Sequence, residues 1–279
     1  MAISSIGIVT NQSPAAYQLA IESIGYLAEK VSEIFVEANL LLDIERRNSD
    51  IGQGLRVLDY SRRLDLLLVF GGDGTILRSI RSIGDLQIPV CGINLGRTGF
   101  LSQVEPKDLK KALQRLLLGD FEVSRRMKIE IFRGGEKVGS GLNEVLIHGE
   151  NPGKLFRANI QIGSKVSMIL EGDGILVSTP TGSTGHCVSA GGPVVDTSLE
   201  LMLVVPVCPI RPIRPIVLPP EEEVTVSSTM RSRIAVDGEQ VGDAEPGVEI
   251  SVKRAPGAAL FATLSDFDFW TKVRQRIGG

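Results

Sequence analysis

The segment GGDGT, residues 71–75, places an aspartate between glycines directly after the apolar run DLLLVF. Glycines let backbone N–H groups approach a ligand, and a helix beginning near Thr75 would add the positive end of its dipole, which suits a phosphate group. Asp73 would repel that phosphate, but it suits a reaction in which a hydroxyl loses a proton, because a positioned carboxylate can accept it during phosphoryl transfer. The predicted phosphate contacts are Gly71, Gly72, Gly74 and Thr75. The alternative is a tight strand-to-helix turn in which Asp73 caps the helix.

A second segment, GDGILVSTPTGSTGHCVSAGGP at residues 172–193, combines hydroxyl side chains with many glycines. Hydroxyls and exposed amides together suit the oxygens of a sugar or a phosphate. An ordinary polar loop is the alternative, because serine, threonine and glycine are also typical of loops.

Asn143 and Glu144 open the predicted strand VLIHG. A carboxylate beside an amide can accept hydrogen bonds from a ribose diol and bind an adenine edge. Any strand can begin with such a pair, so the two residues alone do not define a site.

The elements that carry these segments differ between the two halves of the chain. Up to about residue 120, apolar strands alternate with helices, which predicts a parallel sheet covered on both faces. The predicted strands are 3–9, 65–70 and 88–94, and the predicted helices are 14–30, 75–83 and 106–120. From about residue 121 the apolar period becomes two, with hairpin signals at Gly134–Gly135 and Gly163–Ser164, which predicts an antiparallel β domain of short strands.

The fold class is therefore α/β plus all-β, in three segments. Residues 1–121 form the α/β phosphate-binding and catalytic domain, and residues 122–262 form the β domain. Residues 263–279 are predicted to form a helix that returns to the first domain, with Ser265 or Asp266 as its cap.

Composition excludes several classes of protein. A formal charge of −3 without a basic stripe argues against nucleic-acid binding. No apolar stretch approaches the roughly 20 residues of a spanning helix and no basic leader precedes an apolar segment, which predicts a cytoplasmic protein without a membrane partner. Three scattered cysteines and two histidines predict neither a disulfide framework nor a metal site. The chain has no GxxxxGK[ST] sequence, which excludes a P-loop kinase.

Taken together and in this order, the motifs resemble the NAD kinase family, including its archaeal and bacterial members. GGDGT alone is shared with phosphofructokinases and lipid kinases, whereas its combination with the Asn-Glu pair and the long glycine-rich block is more specific. The resemblance covers nearly the whole chain, in the blocks LVFGGDGTIL, GINLGRTGFL, LNEVLI, GDGILVSTPTGST, SAGGP and RPIVLP.

The resemblance implies transfer of the γ-phosphate of ATP to the 2′-hydroxyl of the adenosine ribose of NAD, giving NADP. Asp73 would be the general base. This role requires that its carboxylate does more than form hydrogen bonds that stabilise the turn. Mg²⁺ or another divalent cation would arrive mainly with ATP, and the β domain would form the interface of a homodimer or homotetramer. The NAD site implied by the resemblance comprises Asp73, Gly74, Asn143, Glu144, Asp173, Thr181, Thr184, Gly185, His186 and Ser189.

Several positions depart from the family pattern or are weaker candidates. Gly185 and His186 replace the usual alanine and tyrosine, which leaves the choice between NAD and NADH open. Glu171 stands where many relatives have arginine, and Lys154 is a candidate replacement cation or a solvated lysine. Three further candidates are Phe100, near the nucleotide or in the core, Arg214 in the Arg-Pro pair, and Glu239 where glutamine is frequent.

Two other functions remain as alternatives to an NAD kinase. A non-catalytic NAD-binding sensor would explain the Gly185 and His186 departures as lost turnover. A GGDGT kinase acting on a lipid or sugar acceptor would leave the 172–193 block unexplained. The sequence also leaves open whether polyphosphate replaces ATP and whether NADPH regulates the protein.

Overall fold

The computed structural model describes residues 3–46, 51, 54–96, 99–151, 153–164, 166–264 and 268–277. The chain divides into two compact units. The first comprises Met1–Arg125 together with Ala259–Gly279, and the second comprises Arg126–Ala258.

Strands and helices alternate along the first part of the chain. The strands are β1 (Ser5–Thr10), β2 (Glu33–Val36), β3 (Leu55–Val57), β4 (Leu66–Gly71) and β5 (Pro89–Asn94). The helices are α1 (Pro14–Leu27), α2 (Ala38–Arg46), α3 (Asp73–Ile83) and α4 (Leu109–Leu117), the last preceded by a 3-10 turn at Pro106–Asp108.

Strands dominate the rest of the chain. The strands are β6 (Glu122–Arg133), β7 (Glu136–Gly141), β8 (Glu144–Gly149), β9 (Phe156–Ile162), β10 (Val166–Gly172), β11 (Gly174–Ser178), β12 (Met202–Val207), β13 (Ile216–Leu218), β14 (Val224–Ser228), β15 (Ser232–Val236), β16 (Glu239–Ala244) and β17 (Glu249–Thr263). A 3-10 helix at Thr181–Thr184 precedes the short α5 (His186–Ser189), and α6 (Phe269–Ile277) follows β17.

The sheet of the first unit is parallel, in the order β5-β4-β1-β2-β3, and the last residues of β17 pair in parallel with β5. Every residue of β4 is buried, as its continuous apolar run predicts. The chain builds outward from β1 through β2 and β3, and then returns to place β4 on the other side of β1. Ligands of open α/β sheets bind at the carboxyl ends of strands at such a switch point.

The second unit is built from antiparallel pairs. One sheet has the order β13-β12-β11-β8-β15-β16, and another run of strands has the order β10-β9-β14-β17. Gly134 and Gly135 have φ of 56° and 88° in the turn between β6 and β7, as predicted from the paired glycines. Inward-facing residues of these strands form one apolar cluster, which includes Val145, Ile160, Ile175 and Val226.

The predicted fold class, α/β plus all-β, is confirmed, although several predicted elements were wrong in extent. Helix α3 begins at Asp73 rather than Thr75, and β17 is 15 residues long rather than a short strand. The proposed caps Ser265 and Asp266 lie outside the described residues, whereas Asp268 Oδ1 accepts a hydrogen bond of 3.0 Å from Trp270 N at the start of α6. Among the described residues, no helix is both long and apolar enough to cross a membrane.

Candidate active site

The position of Asp73 follows from the pairing of two neighbouring strands. Strands β4 and β5 are parallel and in register, with Gly71 opposite Asn94, so their carboxyl ends lie side by side. Helix α3 starts directly after β4, and the loop Gly99–Ser102 follows β5. The side chain of Asp73 can therefore reach this loop, at the switch point of the sheet.

The Asp73 carboxylate is held by two backbone donors from that loop. Phe100 N donates to Oδ2 at 2.8 Å and Leu101 N donates to Oδ1 at 3.0 Å. The predicted alternative, a helix cap, is wrong, because Gly72 occupies the N-cap position and no side-chain cap bond forms. A Cβ added at Gly99 would overlap Asp73 Oδ1, so the glycine allows this close approach.

These two bonds brace the loop and still leave the carboxylate able to bind a ligand. A carboxylate offers about four lone-pair positions, of which the loop amides occupy two. Asp73 is only partly buried. The side chain can thus orient the loop and accept a further hydrogen bond from a hydroxyl.

The glycines around Asp73 differ in their surroundings. Gly71, Gly72 and Gly74 do not have positive φ. A Cβ at Gly71 would overlap the Thr75 side chain, whereas Cβ atoms at Gly72 and Gly74 would meet open space. Thr75 N is bonded to Gly72 O at 3.0 Å, so the N–H groups at the beginning of α3 that suit an anion are those of Asp73 and Gly74.

In the second unit, Asn143 and Glu144 stand at the start of β8 with unpaired polar atoms. Asn143 Oδ1 and Glu144 Oε2 are buried and have no hydrogen-bond partner among the described residues. Burying a polar atom without a partner costs free energy, so native proteins rarely keep one without a functional reason. Both atoms are acceptors that a ligand hydroxyl or amino group would satisfy.

Asp237, which the sequence analysis did not single out, fixes this pair. Its carboxylate accepts hydrogen bonds from Leu142 N at 2.8 Å, Asn143 N at 2.8 Å and Glu144 N at 3.2 Å. Its own N–H donates to Glu144 O at 3.0 Å. Asp237 and Gly238 have φ of 48° and 81° in the turn between β15 and β16, so the only sequence signal was an Asp-Gly hairpin turn.

Burial raises the pKa of Glu144 to about 7, and the negative charge of Asp237 acts in the same direction. Only 8% of Glu144 is exposed. The carboxyl therefore changes protonation near neutral pH, where it can act as donor or acceptor.

The loop after β11 wraps around the Asn143 backbone. Thr179 N donates to Asn143 O at 2.8 Å, and Thr179 Oγ1 donates to Leu142 O at 2.6 Å. Ser183 Oγ donates to Pro180 O at 2.7 Å. These hydroxyls are buried and bind backbone carbonyls, which shapes the loop.

The other residues of this loop differ in exposure. Thr181 and Thr184 are buried, and Thr184 Oγ1 lies 3.5 Å from Thr181 O. Gly185, His186 and Ser189 are exposed. A Cβ at Gly185 would lie 3.6 Å from Glu144 Oε2, which places Gly185 beside the unpaired carboxyl oxygen.

A cavity of about 320 Å³ brings together two further candidates, Asp173 and Lys154, beside His148 and Asn151. Both candidates are exposed. The cavity therefore offers one cation and one carboxylate to a polar ligand.

The weaker candidates have other surroundings. Glu171 Oε1 lies 3.5 Å from Arg157 Nε on the paired strand β9. The ring of Phe100 is 8% exposed and 6.3 Å from the ring of Phe269, so Phe100 contacts Asp73 through its backbone rather than its ring. Arg214 and Glu239 are exposed, ahead of β13 and at the start of β16.

The chain is similar to known proteins along nearly its whole length. Residues 6–121 match the model of the ATP-NAD kinase N-terminal domain, and residues 142–264 match that of the ATP-NAD kinase C-terminal domain. The NAD kinase of Methanothermobacter thermautotrophicus is 33% identical over 277 residues, which covers 98% of this chain and 95% of that protein.

Two solved structures are similar to the whole chain. Yeast NADH kinase complexed with NADH has a TM-score of 0.90 and 25% identity, over 100% of this chain and 88% of the other. An NAD kinase from Archaeoglobus fulgidus in complex with ATP shares the fold, with a TM-score of 0.72 and 23% identity over 98% and 97% of the two chains. Matches to both domain models and to a relative of nearly the same length show that this chain belongs to the NAD kinase family.

Proposed function

We propose that the chain is an NAD kinase, which transfers the γ-phosphate of ATP to the 2′-hydroxyl of the adenosine ribose of NAD and forms NADP. The observation that carries this proposal is the setting of Asp73: a carboxylate fixed by two amides at the switch point of a parallel sheet, beside the beginning of a helix. Family membership indicates the reaction, and the position of Asp73 provides a carboxylate that can accept the proton of the hydroxyl.

Asp73 acts as the general base in this proposal. Two amide donors fix its orientation while the remaining lone pairs accept the ribose 2′-hydroxyl, which is thereby turned toward the γ-phosphate. The hydroxyl proton passes to the carboxylate as the O–P bond forms, and the γ-phosphoryl group leaves the β-phosphate oxygen. The N–H groups of Asp73 and Gly74 face the phosphate charge.

Asn143 and Glu144 bind the adenosine moiety. Their buried unpaired atoms, Asn143 Oδ1 and Glu144 Oε2, support this assignment, because an adenine amino group and a ribose hydroxyl are donors of the right kind. Gly185 beside Glu144, and the cavity lined by Asp173 and Lys154, are proposed contacts to the rest of NAD. Thr181, Thr184, His186 and Ser189 complete the proposed set.

A divalent cation is proposed to enter with ATP. Among the described residues, no group of three or more carboxylate, histidine or cysteine side chains could hold a metal ion. The phosphates of ATP are proposed to supply most of the ligands of the cation. When bound, the cation would neutralise charge on the phosphates.

NADH is a second candidate acceptor, since a structure with a TM-score of 0.90 is that of an NADH kinase. A homodimer or homotetramer is also proposed, from the family resemblance, and light scattering during gel filtration tests it. The sensor and the lipid or sugar kinase are less well supported than an NAD kinase, because both domain models match.

The decisive experiment incubates the purified protein with ATP, Mg²⁺ and NAD or NADH and measures NADP(H) with a coupled dehydrogenase. Wild-type protein should form product, and Asp73→Asn should lose turnover by a factor of about 10²–10⁴, the usual contribution of a general base. Its NAD affinity should stay close to that of wild type.

Two results would contradict the proposal. Binding of NAD without product would favour a sensor, and equal turnover in Asp73→Asn would remove Asp73 from the chemistry. Glu200→Gln is the matched control, since it removes one exposed carboxylate that already pairs with Arg254.

A further inference from the structure

Lys272, on helix α6, reaches the loop that holds Asp73. Its Nζ donates to Gly99 O at 2.9 Å and to Ser102 O. The two residues between these carbonyls, Phe100 and Leu101, supply the N–H groups bound to Asp73. One ammonium group thus binds the carbonyls at both ends of a four-residue loop. The two central residues of that loop donate hydrogen bonds to the carboxylate.

The loop has no other regular structure to fix it. Residues 99–102 belong to neither a helix nor a strand. Their backbone carbonyls at positions 99 and 102 point to Lys272, while the amides at positions 100 and 101 point to Asp73. The ammonium and the carboxylate therefore bind different backbone groups of the same four residues.

Helix α6 is itself held in position. Asp268 accepts hydrogen bonds from Trp270 N at 3.0 Å and from Thr271 Oγ1 at 2.5 Å, which fixes the first turn. The Phe269 ring packs 6.3 Å from the Phe100 ring. Lys272 is thus presented by a capped helix that also contacts the loop.

The charges around Lys272 fit this arrangement. The side chain is only partly exposed, and burial lowers the pKa of Lys272. The carboxylates of Asp73 and Glu105 act in the opposite direction and favour the charged form.

We propose that Lys272 is a positioning residue for the general base, and that helix α6 thereby forms part of the catalytic apparatus. This inference rests on the proposed function of Asp73. Without the ammonium, the carbonyls of Gly99 and Ser102 lose their common donor, the loop relaxes, and the amides no longer hold the carboxylate in its orientation.

The test compares Lys272→Met, Lys272→Arg and Arg274→Met with wild type. Arg274→Met is the matched control, because it removes one positive charge from an exposed position two residues along the same helix. Lys272→Met should lower kcat by up to about 100-fold, the cost of a misplaced catalytic group, with KM for ATP and NAD little changed. Lys272→Arg keeps a cation with several donors and should restore most of the turnover, and Arg274→Met should resemble wild type.

Hydrogen exchange provides a readout that does not need activity. The peptide containing Phe100 and Leu101 should exchange faster in Lys272→Met than in wild type or Arg274→Met, whereas peptides from β4 should be unchanged. If Lys272→Met does not fold, Lys272→Gln, which retains a donor, is measured in its place.

The outcomes separate the two proposals. If wild type forms no NADP, the proposed function fails, and the exchange result alone decides whether Lys272 fixes the loop. If wild type is active but Lys272→Met behaves like Arg274→Met in both turnover and exchange, the positioning role is overturned. Equal losses in kcat and substrate binding, without recovery in Lys272→Arg, would also overturn it.

Discussion

Glu144 shows how a buried carboxyl costs stability. Its carboxyl is buried, its Oε2 has no partner among the described residues, and Asp237 adds a second negative charge nearby. An ionised carboxylate in such a place is unfavourable until a ligand supplies donors. In the proposed role of Glu144 as an adenosine contact, donors of the bound nucleotide offset this cost.

This cost can be measured with Glu144→Gln. The pKa of Glu144 is raised from 4.5 to about 7 in the folded state. Between these pH values the folded protein binds more protons than the unfolded chain, so the free energy of unfolding falls as pH rises. Glutamine does not titrate. The variant should be more stable than wild type at alkaline pH, by up to about 3 kcal/mol, and the difference should vanish toward pH 4.

Urea unfolding of both proteins at several pH values checks this prediction. NAD affinity should fall in the same variant, because the amide replaces a carboxylate that accepts ribose hydroxyls. A stability difference independent of pH would show that the pKa of Glu144 is not raised in the folded protein.

At the scale of elements, the loop after β11 depends on two glycines with different surroundings. A Cβ at Gly182 would overlap the carbonyl group of Asn143, which is backbone and cannot move aside. A Cβ at Gly185 would lie 3.3 Å from Gly182 O and 3.6 Å from Glu144 Oε2, distances that a small shift accommodates. The loop conformation around Asn143 therefore requires glycine at position 182 and tolerates alanine at position 185.

The matched pair Gly182→Ala and Gly185→Ala tests this difference. Gly182→Ala should destabilise the protein by about 1–3 kcal/mol, as overpacking does, and raise KM for NAD because Asn143 is displaced. Gly185→Ala should leave the free energy of unfolding close to that of wild type. Thermal unfolding and steady-state kinetics measure both effects, and comparable damage from the two alanines would contradict this description of the loop.

The sequence predicts those elements whose pattern is long. Strand β4 is a continuous apolar run and α4 repeats its apolar residues at helical spacing, and both were located. The β2, α2 and β3 elements were not predicted, because β2 has only four residues and β3 three, too few for a period. The full length of β17 was missed because Pro256 and Gly257 interrupt it and resemble the end of a strand.

The site was predictable only where a residue belongs to a local motif. Asp73, Asn143 and Glu144 lie in short recognisable segments. Asp237 and Lys272 act through hydrogen bonds to backbone groups that are 94 and 173 residues away, at Asn143 and Gly99. Such contacts leave no local pattern, since they exist only after the strands have paired.

At the scale of the whole molecule, the first unit is assembled from both ends of the chain. Residues 259–279 belong with residues 1–125, and the intervening 126–258 form the second unit. Leu260 and Phe261 pair with Pro89 and Val90 of β5, so the last part of β17 closes the edge of the parallel sheet. Pairing β17 with β5 closes a long loop of chain, and closing it costs conformational entropy. The contacts of the rest of the sheet must form to offset that cost.

Phe261→Ala and Phe156→Ala test whether each unit has its own stability. Both phenylalanines are buried, Phe261 beside β5 in the first unit and Phe156 in the apolar cluster of the second, and loss of either ring should cost about 3–5 kcal/mol. Because each ring is lost from one core, Phe261→Ala should speed hydrogen exchange in β4 more than in β8, and Phe156→Ala should do the reverse. If hydrogen exchange rises equally in β4 and β8 in either variant, the two units unfold together. The loop that binds Asp73 would then open only when the whole protein unfolds.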